Sequence, residues 1–200
     1  MGTHWPSWRV AWTQTRGLID TGHAFCQQHF DQRGHTALSP IRMASPAQIR
    51  LALYQPDIAG NVGTILRLAA CLDLAVDLIE PMGFAWSDRK LARAGMDYAA
   101  LARVTRHADW NAFLATVTGR IVLLSTRGAV RLDTAAFAPD DVLLFGAESS
   151  GVPDDVHDRA DLRITIPLVP GRRSLNVAVA AAIATGEALR QIKGWPDAAS

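Results

Sequence analysis

Cysteine is scarce in this chain of 200 residues: Cys26 and Cys71 are the only two. They have no metal-ligand spacing, so a zinc site is not indicated and no metal is expected. Cys71 falls in the apolar pattern LRLAACLDL, where a buried free thiol is the expectation. Unpaired thiols suit a reducing, cytoplasmic setting. Long apolar runs are missing as well. No segment reaches the roughly 20 apolar residues that a membrane span needs, and the Ala-rich C-terminal stretch is interrupted by Gly186 and Glu187. A soluble protein with no membrane partner is therefore expected.

An excess of charge of one sign is also lacking. Lys and Arg total 20 against 19 Asp and Glu, for a formal net charge of +1, which excludes strong general attraction to polyanions. A nucleic acid would have to be held by a local basic patch. With 49% hydrophobic and 20% charged residues, the composition argues against disorder over most of the chain. No GxGxxG follows a strand-like run and no GxxxxGK[ST] occurs. Neither a dinucleotide fingerprint nor a P-loop accounts for the glycines.

What is present divides near residue 47. Residues 1–47 hold Trp5, Trp8 and Trp12 and four histidines, His4, His23, His29 and His35, with no sustained period. They show no apolar h-region and no amphipathic transit pattern. Met43 opens MASPAQIRLALY directly before the first strand-like run, so 1–47 reads as a disordered or over-extended N-terminal extension. Residues 48–195 then form one domain and 196–200 a tail.

From Ile49 the pattern is regular. IRLALYQP reads as a strand, Asn61 to Leu72 as a helix, VDLIEP as a strand, and LARAG as a basic helix capped by Ser87 or Asp88. Asp109 caps a further helix through Val117, and RIVLLST, VLLFG and LRITIPL are strands. A long helix opened by Ser174 closes the domain. Its interior is small and apolar around most of its circumference, so cover on most sides is expected. Strands that alternate with helices and are themselves continuous apolar runs predict an α/β fold, a mostly parallel sheet covered on both faces. In such a sheet a ligand is expected at the carboxyl ends of the strands near the topological switch point.

Three segments place Gly, Asn and Arg at such strand ends: DIAGNVGTILR (Asp57 to Arg67), LLFGAESSGVP (Leu143 to Pro153) and ITIPLVPGRRSLNVAVAAAIATGEALRQ (Ile164 to Gln191). In this order they resemble the motifs of the SPOUT methyltransferases. IEPMGFAWSDRKLARAGMDY (Ile79 to Tyr98) and VTRH (Val104 to His107) look like the TrmL-like group in particular. Its members transfer methyl from S-adenosylmethionine to the ribose 2'-hydroxyl of the wobble nucleotide, cytidine or modified uridine, of certain tRNAs. The similarity runs from about Ile49 to Gln191 without large gaps.

The resemblance implies a C-terminal trefoil knot, against the general rule that connections do not thread. It implies a tRNA substrate, a homodimer with the C-terminal helix as an interface element, and no metal. Cofactor contacts would fall at Leu124, Gly146, Ile166, Ser174 and Asn176, read mostly by backbone groups. Leu124 and Ile166 would pack in a core in any case, and Ser174 suits an N-cap in any protein. For Gly146, close approach of backbone to a ligand would be the specific reason for glycine. Catalytic candidates are Arg67, Asn61 and Glu148. A guanidinium with a pKa above ~12 rarely gives up its proton. Arg67 is therefore expected to clamp an RNA phosphate and orient the 2'-hydroxyl. Asn61 would cap its helix or order the loop, and Glu148 and Asn176 would face the cofactor pocket. The chain departs from better known members at Ala178, Val179 and Gly186, the last where a tyrosine stands in them. Arg89, Lys90, Arg93, Arg103 and Arg106, with Arg127, Arg131, Arg172 and Arg173, are the available positive surface. A non-catalytic RNA-binding protein of the same fold and an α/β enzyme using another nucleotide remain as alternatives.

Overall fold

Alternation within the apolar runs decides the layering. In a computed structural model, which describes residues 49–86 and 102–196, Arg50–Tyr54 forms β1 and Val142–Phe145 forms β6. Leu51, Leu53, Leu143 and Phe145 enter one apolar layer, while Ala52, Tyr54, Val142 and Leu144 enter another. Successive side chains of a strand point to opposite faces, so each run must be covered twice. On the first face lie α1 (Ala59–Cys71) and the C-terminal α4 (Val177–Ile192), which pack on each other. On the second lie α2 (Trp110–Leu114) and α3 (Asp154–Arg159), through Phe113 and Val156.

The remaining strands are β2 (Ala75–Ile79), β3 (Arg103–His107), β4 (Ile121–Leu124), β5 (Val130–Arg131) and β7 (Leu162–Thr165). The sheet order is β3-β2-β1-β6-β4-β7-β5, with every pair parallel. The chain first builds outward from β1 to β3 and then restarts on the other side of β1, so the direction reverses between β1 and β6. The α/β, parallel, doubly covered architecture is the one expected. VTRH, not assigned to an element above, is the edge strand β3, against β2.

Local details differ in places. Helix α1 begins at Ala59, two residues before Asn61, with Ile58 at the N-cap position and no side-chain cap. Cys71 is exposed rather than buried: it lies about 200° round the helix from buried Ala69. Asp109 does cap its helix, accepting from the Ala112 N–H at 2.8 Å. The last helix starts at Val177, not at Ser174, and its cap is Asn176, whose Oδ1 accepts from the N–H groups of Ala178 and Val179. That helix buries a stripe of Ala178, Ala181, Ala184, Thr185, Ala188 and Leu189. Its other side is not covered by the described residues, since Val179 and Ile183 are 48% and 41% exposed. The expected LARAG helix and its Ser87 or Asp88 cap, and the extension 1–47, lie outside the described residues.

Candidate active site

The strand ends on one side of the reversal open into a cavity of about 550 Å³, within the range of small-molecule sites. The last residues of β4, β6 and β7 form its floor with the turns that follow: Leu124 and Ser125, Phe145 and Gly146, Thr165 and Ile166. Its wall is the segment Arg173–Val177 that enters α4, together with Ile58 and Asn61 from the start of α1. The cavity is thus centred over β6, β4 and β7 and reaches the reversal only at its α1 edge.

Of the expected site residues, Leu124, Gly146, Ile166, Ser174, Asn176, Asn61 and Glu148 all line this cavity. Arg67 does not. It is exposed on α1, two turns past the helix start and away from the buried stripe of Val62, Ile65, Leu66 and Ala69. Ser174 is exposed and three residues ahead of α4, so it contributes to the cavity wall and not to the cap. Arg127 and Arg173, read from sequence only as positive surface, also line the cavity.

A relay of hydrogen bonds ties the three motif segments together. One Glu148 carboxylate oxygen accepts from the Asp57 N–H at 2.8 Å and the other from the Asn61 side-chain amide at 2.8 Å. The Asn176 amide in turn donates to the Asn61 Oδ1 at 2.9 Å, while the Asn176 Oδ1 caps α4. Asn61 therefore neither starts nor caps its helix; it joins the motif after β6 to the one before α4. Glu148 is half-buried with both oxygens engaged, where a lone loop glutamate would ordinarily be solvated. The sequence reading missed Asp57 and Ser149. The Asp57 carboxylate accepts from the Ser149 N–H at 2.9 Å and from its hydroxyl at 2.6 Å, and those bonds hold the Asp57 carboxyl below its ordinary range. An acidic residue just ahead of the Gly/Asn loop was the available signal.

Gly146 has a more immediate reason for being glycine than approach to a ligand. A Cβ there would stand 2.5 Å from the Gly151 carbonyl carbon, because Ala147 and Gly151 exchange backbone hydrogen bonds in a tight return of the chain. Gly151 itself has φ +71, a left-handed conformation that favours glycine. The return folds the segment back on itself and turns Glu148 toward α1.

The positive surface is largely paired where it is described. Arg106 donates to Glu80 and stacks over Trp86 at 5.6 Å, and Arg103 reaches the Asp73 carbonyl and carboxylate. Arg127 pairs with Asp154 and Arg131 with Asp133. Arg89, Lys90 and Arg93 lie outside the described residues. No group of three or more His, Cys, Asp or Glu could hold a metal ion among the described residues, and no described helix is long and apolar enough to cross a membrane.

Comparison with known proteins bears on the cavity and the relay together. Residues 48–186 match the SpoU rRNA Methylase family. A protein of Beijerinckia indica named tRNA (cytidine(34)-2'-O)-methyltransferase is 56% identical over 145 residues, covering 71% of this chain and 91% of that one. The Escherichia coli protein of the same name is 41% identical over 153 residues, covering 75% and 97%. A solved structure described as giving insights into the 2-OH methylation of C/U34 on tRNA superposes with a TM-score of 0.70 at 41% identity, covering 75% of this chain and 99% of its own. A Sinorhizobium meliloti rRNA methyltransferase solved with AdoMet bound gives 0.66 at 26% identity, covering 73% and 57%. With the motif segments gathered at one set of strand ends and a family match over most of its length, the chain belongs to the SpoU methylase family.

Proposed function

We propose that this protein is an S-adenosylmethionine-dependent tRNA 2'-O-methyltransferase acting on the ribose of nucleotide 34, cytidine or modified uridine. The observation that carries the reading is the cavity at the ends of β4, β6 and β7 in a chain 56% identical to a protein named for that reaction. When bound, the cofactor supplies an electrophilic methyl group on a sulfonium. The residues present fit such a group: apolar Leu124, Ile166 and Val177 offer cover for a base, and backbone groups after β4, β6 and β7 offer polar partners. Gly146, Ser174 and Asn176 complete that wall.

Methyl transfer to a hydroxyl is an in-line displacement, so the protein's part is chiefly positioning. The Glu148–Asn61–Asn176 relay fixes the cavity edge on which donor and acceptor must meet. Arg67, exposed outside the cavity, contacts RNA rather than cofactor: its fork clamps the phosphate next to the target ribose and orients the 2'-hydroxyl. The hydroxyl proton leaves to a phosphate oxygen or to water. The reading includes the C-terminal trefoil knot, a cytoplasmic setting and a homodimer. In the dimer a second copy covers the exposed Val179 and Ile183 of α4.

The test is incubation of the purified full chain with S-adenosylmethionine and unmodified tRNA, followed by nuclease mapping and mass spectrometry. A methyl group on the ribose of nucleotide 34 is expected. Methylation confined to another nucleotide or to a base, or none at all, would overturn the reading.

A further inference from the structure

Asp57 is engaged from three directions. Its carboxylate takes both donors of Ser149, its N–H feeds the Glu148 carboxylate, and its backbone is pressed by Gly83 from the loop after β2. A Cβ on Gly83 would lie 2.9 Å from the Asp57 Cα and 3.1 Å from its carbonyl oxygen. The Gly83 N–H also donates to the Pro56 carbonyl at 3.0 Å. The same loop carries Glu80 and Trp86, the partners of Arg106 on the edge strand β3. One residue outside the cavity lining thus joins the loop at residues 80–86, the motif after β6 and the start of α1.

We propose that Asp57 is a positioning residue for methyl transfer: its carboxylate anchors Ser149, and so sets Glu148 and, through Asn61 and Asn176, the cavity edge. The inference rests on the methyltransferase reading. The bracing is reciprocal, Asp57 accepting from Ser149 while Glu148, its chain neighbour, accepts from Asp57. Each loop therefore fixes the other, and neither bond can shift alone. Asp57 is a carboxylate at neutral pH, and the two Ser149 bonds favour that form, holding its carboxyl below the ordinary range. Gly83 leaves room for the arrangement, and a side chain there would push the Asp57 backbone off its place.

The experiment compares Asp57→Ala, Asp57→Asn and Gly83→Ala in the full chain. It reads cofactor affinity by calorimetry, kcat and KM for tRNA, and Tm. Losing a charge-assisted anchor should lower kcat in Asp57→Ala by about tenfold or more, at a temperature well below its Tm. Asp57→Asn keeps an acceptor oxygen for Ser149 and should recover part of that loss, which a general loss of packing would not predict. Gly83→Ala should lower kcat in the same direction, and the double variant with Asp57→Ala should fall no further than the worse single change. If the wild-type protein methylates tRNA and Asp57→Ala turns over at the same kcat, the positioning role is overturned. If kcat falls equally in Asp57→Ala and Asp57→Asn, anchoring of Ser149 is overturned as its cause. Absence of methylation by the wild-type protein is a separate outcome that sinks the methyltransferase reading itself.

Discussion

In the half of the sheet formed by β1, β2 and β3, Asp77 is fully buried and its Oδ1 receives Arg50 at 2.7 Å and His107 at 2.8 Å. Over β6, β4 and β7 the comparable acid, Glu148, sits half-buried at a cavity edge and takes two uncharged donors. Both are carboxylates bonded to groups distant in sequence, yet their surroundings differ. Asp77 lies within the strands, between the Arg50 guanidinium and the His107 ring, with its second oxygen lacking a protein partner. Glu148 lies where the strands have ended and their backbone groups face a cavity. Carboxylates inside a sheet are tied to stability, because removing a partner strands a charge away from water. Carboxylates at strand ends can be ordered without being sealed, which is what a site for chemistry needs.

The comparison breaks most visibly if Asp77 is removed. Asp77→Ala leaves His107 buried beside Arg50 with no acceptor, and losing one partner of a buried ion pair costs about 3–5 kcal/mol. The lower end is expected, since the Arg50 side chain is 35% exposed and can turn to water. Denaturant unfolding should show the loss, while the folded fraction keeps a kcat near wild type, because neither Asp77 nor its partners Arg50 and His107 line the cavity or join the relay at its edge. A loss below about 1 kcal/mol would mean that the cluster contributes no more than a surface pair.

Arg67 tests the other side of the comparison, in rate rather than stability. Arg67→Lys keeps the charge and loses the bidentate fork, so binding of S-adenosylmethionine should be unchanged while methylation slows. An oriented charged contact made in the transition state is worth several kcal/mol, so a fall of ~100-fold in kcat/KM for tRNA is expected. Because Arg67 is exposed on α1, Tm is expected to change little. A variant that methylates at near wild-type rate would reduce Arg67 to a surface residue of α1.

The layered sheet was legible because short apolar runs bounded by turn residues, such as VLLF before Gly146, suit strands covered on both faces. The place of the cavity was legible by motif: seven of the eight residues expected from the resemblance line it, and Arg67 does not. Side-chain pairing across long sequence distances was not legible. Asp57 and Ser149 are 92 positions apart, and nothing local in DIAGN indicates which loop its carboxylate will meet. Helix starts failed for a related reason. Ser174 is a good cap by residue type, but Asn176 lies where its amide can both cap α4 and reach Asn61, so tertiary geometry chose the cap. Cys71 is exposed where burial is expected, because an apolar string on a helix does not say which side faces out.

At the outer limit of the same series lies Glu187, on the C-terminal half of α4. It accepts from Arg190 at 2.9 and 2.7 Å and from the Gln191 amide at 2.7 Å. Gln191 also donates to the Ala135 carbonyl and accepts from the Phe137 N–H, tying α4 to that segment. The Arg190 bonds, then the Gln191 bond, hold the Glu187 carboxyl down at about 2 against an ordinary 4.5. A carboxyl depressed on folding stabilises the protein above its unfolded value, and that contribution is lost as pH falls through the folded one. The window is therefore pH 4.5 down to about 2. Arg190 is 67% exposed, and solvent screens such pairs, so the contribution stays under about 1 kcal/mol. Glu187→Gln should then be slightly less stable than wild type at pH 6, with the gap closing as the pH falls through that window. Urea unfolding at several pH values measures it, and added salt should narrow the gap at pH 6. A gap that holds constant on acidification and in salt would show that shape, and not charge, fixes this end of α4. The decline in effect from buried Asp77 to Glu187, paired with exposed Arg190, would then no longer follow from screening alone.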